Sequence, residues 1–120
     1  KKKIIICDRF VDSTLAYQVF GNGVNRNFID CVHKYILGNI KPDLTFILKV
    51  KLSKALQRLK ERKKKNRYDK FSKNFYNKVQ NAFIKIAKKN KQRYFILDNS
   101  SDSSEVEKVI LNNFLKVLNK

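Results

Sequence analysis

The chain has 120 residues, enough for one compact domain and too few for two domains with separate hydrophobic cores. Its 42% of apolar residues excludes the disordered class, which combines low hydrophobicity with high charge. The formal net charge of +18 favours anionic partners, so nucleic acid, a phosphate-bearing small molecule and an acidic membrane surface all remain open, although an A/T-rich coding sequence would also explain the lysine excess.

The first strong element is a β-branched apolar run over residues 4–7, which predicts a strand buried on both faces. Apolar residues from Phe28 to Ile36 repeat at helical spacing and stop before Gly38, a natural helix end, so an amphipathic helix is predicted there. A second strand is predicted over residues 44–50.

A second helix is expected to begin at Ser53 as its N-cap and to run into the basic stretch 60–67. The apolar spacing from Phe71 onward predicts a longer amphipathic helix. Residues 94–97 predict a third strand, and Ser104 with Glu107 has capping-box spacing before the last helix. Strands that alternate with helices predict an α/β fold with parallel strands and helical crossovers, in a single domain over residues 1–120.

The two cysteines, Cys7 and Cys31, are too few to indicate a secreted disulfide framework. Both lie among apolar neighbours, so we expect reduced, buried thiols in a cytoplasmic protein. The apolar runs are far shorter than the ~20 residues of a membrane-spanning helix, and no span is expected. Because the sequence contains no methionine, we expect it to be part of a longer protein.

Asp8 and Arg9 follow the first predicted strand. In an open parallel sheet, ligands bind beyond the carboxyl ends of the strands, so these two residues are candidates for a binding site. Position alone leaves a second interpretation open, in which they form a surface ion pair at the end of a strand.

Residues 8–18 read Asp-Arg-Phe-Val-Asp-Ser-Thr-Leu-Ala-Tyr-Gln and resemble the thymidylate kinase signature, in which Asp-Arg-aromatic leads into Ser-Thr-x-Ala-Tyr-Gln. Gly21, Asn22 and Gly23 continue it, residues 41–45 resemble the family's Pro-Asp-Leu-Thr turn and strand, and residues of about 60–70 resemble its basic lid. The resemblance implies a partial three-layer P-loop kinase fold that covers the C-terminal half to two-thirds of the family's length. The family's G-x-x-x-x-G-K-[ST] phosphate loop does not occur in this sequence, so the 120 residues alone are expected to be inactive.

The resemblance implies a kinase that transfers the γ-phosphoryl group of ATP, with Mg²⁺, to dTMP and so makes dTDP for dTTP synthesis. Phosphoryl transfer needs positioning and cations around a dispersed negative charge. By resemblance, Arg9 clamps phosphate oxygens between the two nucleotides, and Asp8 orients that arginine and the waters of Mg²⁺ without binding the metal directly. Family members are commonly homodimers, so we expect a homodimer at full length.

The resemblance also assigns the nucleotide contacts. Ser13, Thr14 and Gln18 would bind the polar edge of thymine, and Tyr17 would pack near the sugar and disfavour a ribose 2′-hydroxyl. Without the motif, helix capping would explain Ser13 and Thr14, and core packing would explain Tyr17.

The basic lid would bring Arg58, Arg62 and Arg67 to the ATP phosphates. Lys60 stands where other members often have arginine, and a lysine lacks the two-bond geometry of a guanidinium. A solvated run of charge is the ordinary alternative for this region.

Two other functions remain open. A nucleic-acid-binding module would suit the charge and the aromatic residues interleaved with lysine between positions 67 and 91. No recognised motif supports it, and the helical spacing of those aromatics favours the core over an exposed stacking surface. Another P-loop kinase would share the Asp-Arg pair and a basic lid, but it would be expected to lack Ser13 and Thr14 together with Tyr17 and Gln18. ATP and dTMP are therefore the expected partners, with no specific nucleic acid and no membrane.

Overall fold

A computed structural model describes residues 3–64 and 70–119 of the chain. Helices and two strands alternate along it. In chain order the elements are α1 (Val11–Thr14), a π-helix (Leu15–Gly21), α2 (Arg26–Leu37), β1 (Thr45–Lys49), α3 (Leu52–Glu61), α4 (Lys73–Lys88), β2 (Tyr94–Asp98) and α5 (Ser104–Leu118).

The sheet of the described residues consists of β1 and β2, which run parallel. Thr45 lies opposite Tyr94, and Lys49 lies opposite Asp98. Parallel neighbours need a long crossover, and α3 and α4 occupy the connection between the two strands. The predicted α/β class with parallel strands and helical crossovers is therefore confirmed, as are the second and third predicted strands within a residue or two at their ends.

The helix α2 has the ends that its sequence predicts. Asn25 precedes it, and the Asn25 side-chain oxygen accepts a hydrogen bond from the backbone N–H of Phe28 at 3.1 Å. At the other end Gly38 adopts a φ of +56°, a left-handed conformation that glycine reaches without steric cost.

The core lies where α4 packs against the π-helix. Ala16 of the π-helix is completely buried, and Val79 and Ala82 of α4 are 4% and 3% exposed. The small Ala16 and Ala82 let the two helices approach closely, and larger half-buried side chains surround this contact. These are Tyr17, Phe20, Phe75, Phe83 and Ile86.

The strand predicted over residues 4–7 is wrong. This segment has no regular structure and is exposed, with Ile5 and Ile6 at 86% and 89%. A strand buried on both faces needs paired neighbours and two covering layers, but β1 and β2 pair only with each other within the described ranges. Composition alone therefore indicated a strand that has no partner here.

Two predicted helix starts are shifted, by two positions in α3 and by one position in α5. Helix α3 begins at Leu52 after Lys51, so Ser53 lies inside the helix and is not its N-cap. The Lys51 N–H instead donates to Ser100 Oγ at 3.0 Å, a partner distant in sequence. In α5 the N-cap is Ser103, whose Oγ accepts from the Glu105 N–H at 3.3 Å, and not Ser104.

Both cysteines are free and exposed, so the prediction that they are buried is wrong. The Cys7 thiol donates a hydrogen bond to the Arg9 carbonyl oxygen at 3.3 Å, and Cys31 lies on an exposed position of α2. No helix within residues 3–64 and 70–119 is long and apolar enough to cross a bilayer.

Candidate functional site

The signature residues occupy one continuous segment. Asp8 and Arg9 lie in the exposed chain just before α1, Ser13 and Thr14 lie on α1, and the π-helix carries the rest of the motif. This segment does not extend a strand as expected, since residues 4–7 are not in the sheet. The candidate site is therefore built on the α1 and π-helix turn, and the α4 helix supports it from behind.

Arg9 has an unusual backbone conformation. Its φ is +65°, in the left-handed region that residues other than glycine rarely adopt. Such a conformation costs on the order of 1–3 kcal/mol and tends to occur at functional sites. Its effect here is to turn the arginine back over the π-helix, where the guanidinium carbon lies 5.4 Å from the centre of the Tyr17 ring. Two predicted site residues thus form a cation–π contact.

Tyr17 also contacts the core. Its ring centre lies 6.1 Å from that of Phe75 and 6.4 Å from that of Phe83, in tilted and edge-on arrangements. The ring therefore packs against the core, as the core-packing interpretation predicts, and it also contacts the Arg9 guanidinium. Tyr17 also lines an apolar pocket of about 150 Å³ beside the carboxyl end of β1.

The π-helix presents Gln18 on its outer side. The wide turn is closed by the Asn22 N–H, which donates to the Tyr17 carbonyl oxygen five residues back at 3.0 Å. The Asn22 side-chain amide donates to Gln18 Oε1 at 3.1 Å and orients that amide group. π-Helical turns are rare and frequently occur at functional sites.

Ser13 and Thr14 are half-buried on α1. Neither side chain caps a helix: the residue before α1 is Phe10, and Thr14 makes no side-chain cap to the π-helix. The capping alternative for these two hydroxyls is therefore wrong.

Arg58 lies on α3 and contacts the loop after β2. Its Nη2 donates to the Asn99 carbonyl oxygen at 3.1 Å and lies 2.8 Å from Asp102 Oδ2. The Asp102 side chain is 71% exposed, so water and salt screen this ion pair strongly. The Arg58 and Asp102 side chains border an open pocket of about 530 Å³. Its lining residues are Lys51, Lys54, Gln57, Arg58, Glu61, Ser100, Ser101 and Asp102.

The remaining lid residues are only partly described. Lys60 lies in the last turn of α3, and Arg62 follows that helix at an exposed position. Arg67 lies outside the described residues, as does most of the predicted lid after position 64. The contacts of Arg58 with the 99–102 loop and of Arg9 with Tyr17 involve different elements, so the structure does not bring all of the predicted phosphate-binding residues into mutual contact.

A buried polar cluster joins the signature segment to β2. Asp12 and Arg93 form an ion pair with 3.0 Å between Oδ2 and Nη2, and their side chains are 11% and 18% exposed. The Tyr94 hydroxyl donates to Asp12 Oδ1 at 2.8 Å and accepts from Arg93 Nη2. Burial, followed by the hydrogen bond to Asp12, raises the pKa of Tyr94 well above its usual value, so the hydroxyl keeps its proton at neutral pH.

The sequence analysis missed this cluster. Asp12 stands inside the signature, but its partners are 81 and 82 residues away along the chain. Nothing in the local pattern around Asp12 points to them. The available signal was a carboxylate directly after Val11 and one helical turn before Leu15 and Ala16, because a charge buried among apolar residues needs a partner.

The described aromatic residues of the basic region are half-buried and pack at the edge of the core. The Phe71 and Phe75 rings stack with centres 4.0 Å apart, and Phe83 packs near Tyr17. All three are only half exposed or less. The expectation that they serve packing and not an exposed stacking surface is confirmed for the described positions.

Comparison with known proteins identifies relatives over nearly the whole chain. A family model described as thymidylate kinase matches residues 1–110. Thymidylate kinase of Ehrlichia chaffeensis is 37% identical over 109 residues, which cover 91% of this chain and 52% of that protein. That of Wolbachia pipientis wMel is 46% identical over 96 residues, 79% of this chain and 46% of that protein.

A solved structure is also similar. The crystal structure of thymidylate kinase from Ehrlichia chaffeensis superposes with a TM-score of 0.65 at 33% identity and covers 99% of this chain and 52% of that one. The chain therefore spans about half the length of the relatives that it matches, and it adopts the corresponding part of the P-loop kinase fold. On the combined sequence and structural similarity, the chain belongs to the thymidylate kinase family.

Proposed function

We propose that this chain is part of a thymidylate kinase that transfers the γ-phosphoryl group of ATP to dTMP. A phosphate oxygen of dTMP forms a bond to the γ-phosphorus, the bond from that phosphorus to the β–γ bridging oxygen breaks, and ADP leaves. The products are dTDP, a precursor of dTTP, and ADP. Family membership supports this reaction, and the observation that carries the site assignment is Arg9 held over Tyr17 in a left-handed conformation.

Arg9 is proposed to bind phosphate oxygens between the two nucleotides. A planar guanidinium can donate two parallel hydrogen bonds to a phosphate, and it neutralises charge that spreads over the transferring group. The Tyr17 ring supports one face of the guanidinium, and the exposed position leaves its N–H groups accessible. Asp8, also exposed, would orient Arg9 from the neighbouring position in the chain.

The dTMP base is proposed to lie against α1 and the π-helix. The hydroxyls of Ser13 and Thr14 and the amide of Gln18 would pair with the polar edge of thymine, while Tyr17 would pack near the sugar. Since Asn22 orients the Gln18 amide, that amide is partly preorganised for hydrogen bonding. A site that pairs each polar group of the correct ligand discriminates strongly against ligands that leave one unpaired.

Arg58, Arg62 and Arg67 are proposed to approach the ATP phosphates. The ion pair of Arg58 with exposed Asp102 contributes little, so exchanging the carboxylate for a phosphate is energetically easy. When bound with ATP, Mg²⁺ supplies charge neutralisation at the β- and γ-phosphates. The exposed Asp8 carboxylate fits a contact through a metal-bound water, and the described residues contain no group of three or more candidate metal ligands.

Two further properties belong to this proposal. The full-length enzyme is proposed to be a homodimer, as is common in the family. A cytoplasmic location is also proposed, because two cysteines are too few for the disulfide framework of a small secreted protein.

The test is acceptor preference in the full-length protein. ADP release would be measured with Mg-ATP and dTMP, dUMP, UMP or dGMP as acceptors. Strong preference for dTMP is expected. Equal turnover of dGMP would contradict the base contacts assigned to Ser13, Thr14 and Gln18, and equal turnover of UMP would contradict the exclusion of a ribose 2′-hydroxyl by Tyr17. The 120-residue chain alone is the matched control: because it contains no G-x-x-x-x-G-K-[ST] motif, it is expected to form no ADP, and measurable turnover would contradict that expectation.

A further inference from the structure

Helix α1 is weakly anchored at its N-terminal end, and at its C-terminal end it continues directly into the π-helix, which packs against α4. Helix α1 is only four residues long, its first turn lacks a side-chain cap, and the chain before it is exposed. Among the described side chains of α1, Asp12 is the one that is buried. Its two carboxylate oxygens are both used, one by Arg93 and the other by Tyr94.

Asp12 lies between the residues proposed to bind the two ends of dTMP. Arg9 precedes it by three positions, and Ser13 and Thr14 follow it directly. Any movement of Asp12 therefore changes both the phosphate contact and the base contacts. The partners that hold it lie at the start of β2, where the Thr45 N–H also donates to the Arg93 carbonyl oxygen at 2.9 Å. Arg93 is thereby tied to the sheet through its own backbone.

We infer that Asp12 is a positioning residue, which fixes the acceptor-binding segment to β2 through Arg93 and Tyr94. This inference rests on the proposed function. Fixed geometry matters because a misplacement of about 1 Å in a reacting group can cost on the order of 10²-fold in rate. Asp12 itself is buried and fully paired, so it is assigned no contact with either nucleotide.

The separate attachment of Arg58 makes the inference testable. Arg58 is held by the loop after β2 through Asn99 and Asp102, and it forms no hydrogen bond or ion pair with α1 among the described residues. Loss of the Asp12 contacts should therefore raise the KM for dTMP through Ser13 and Thr14, lower kcat through Arg9, whose phosphate contact strengthens in the transition state, and leave the KM for ATP nearly unchanged. A residue with a purely structural role would instead lower the fraction of folded enzyme and so reduce kcat without changing either KM.

The experiment compares Asp12→Asn, Tyr94→Phe and Asp30→Asn in the full-length enzyme. Asp12→Asn removes the charge that pairs with Arg93. Tyr94→Phe removes two hydrogen bonds, one donated to Asp12 and one accepted from Arg93, while the ion pair remains. Asp30 is the matched control because it also pairs with an arginine, Arg26, at 2.9 Å, but at an exposed position on α2. KM for dTMP, KM for ATP and kcat would be measured for each variant at the same fraction of folded protein.

The KM for dTMP is expected to rise on the order of tenfold in Asp12→Asn and about threefold in Tyr94→Phe. The KM for ATP is expected to change less than about twofold in both, and Asp30→Asn is expected to match the unsubstituted enzyme. If Asp12→Asn does not fold, Tyr94→Phe carries the test alone. An unchanged KM for dTMP in the folded variants, or equal rises in both KM values, would overturn the positioning role. Absence of dTMP turnover in the unsubstituted protein would instead refute the proposed function.

Discussion

Gly21, at the end of the π-helix, should not accept even one methyl group. A Cβ built on it would lie 2.8 Å and 2.9 Å from the Cε2 and Cζ atoms of Phe75 and 3.3 Å from Val79 Cγ2. The Phe75 ring cannot simply move away, because Phe71 stacks on it with ring centres 4.0 Å apart. Overpacking of this kind costs ~1–3 kcal/mol. The better helix propensity of alanine returns up to about 1 kcal/mol.

Gly21→Ala is therefore expected to lower the free energy of unfolding of the full-length protein by about 1–2 kcal/mol. Urea unfolding would measure this change, with an unchanged slope as the sign that only stability has changed. In a Phe75→Leu background the substitution should cost at least about 0.5 kcal/mol less, because the obstructing ring atoms are gone. A Gly21→Ala protein that is as stable as the parent would refute the reasoning.

Gly23→Ala is the control for the comparison of Gly21→Ala in the parent and in the Phe75→Leu background. Gly23 has a φ of +73° and no atom within 4 Å of a built Cβ, so its substitution strains the backbone without a steric contact. Its cost should be the same in the Phe75→Leu background as in the parent.

Three more outcomes are expected. Arg9→Ala should lower kcat on the order of 10²-fold and raise the KM for dTMP far less, because the phosphate contact strengthens in the transition state. Steady-state kinetics that show an unchanged kcat with a raised KM would contradict that role. Ser103 is the N-cap of α5, so Ser103→Ala should cost about 1 kcal/mol of stability, whereas Ser104→Ala should cost less than about 0.5 kcal/mol. Equal losses of stability in urea unfolding would contradict the assignment of Ser103 as the cap. Because the pKa of Tyr94 is raised in the folded protein, its contribution to stability is complete below the unfolded pKa of about 10 and is lost as pH rises toward the folded pKa. The free energy of unfolding should therefore fall above pH ~10, and it should fall less in Tyr94→Phe. Identical alkaline profiles of stability in the two proteins would refute the buried hydrogen bond.

Local pattern predicted α2 to α5 and both observed strands, and it failed where an element depends on residues distant in sequence. The helices α2 and α4 were found because apolar spacing and capping residues lie within the elements themselves. The failed strand over residues 4–7 shows the opposite case, since a strand exists only through neighbours that its own residues do not encode. The π-helix was missed for a related reason: no residue type marks its widened turn, which arises where Ala16 packs against α4.

In the candidate site, too, the residue types could be predicted from the sequence, but the contacts between them could not. The signature motif identified Arg9 and Tyr17, but their contact depends on a left-handed φ at Arg9 that the sequence does not specify. The pair of Asp12 and Arg93 joins positions 81 residues apart, so only the folded chain brings it together. Residue types could therefore be assigned from the sequence, whereas orientation and support could not.

The exposed apolar segment at residues 4–6 has a consequence for handling of the chain. Ile4, Ile5 and Ile6 are 58%, 86% and 89% exposed, and such an uncharged β-branched triplet favours strand-to-strand association between copies. The net charge of +18 opposes that association by mutual repulsion of the molecules. Salt shortens the range of the repulsion to about 8 Å at physiological ionic strength but leaves apolar attraction in place. Colloidal stability of the isolated chain should therefore decline as salt is added, so dilute, low-salt buffers are the conditions that keep it dispersed.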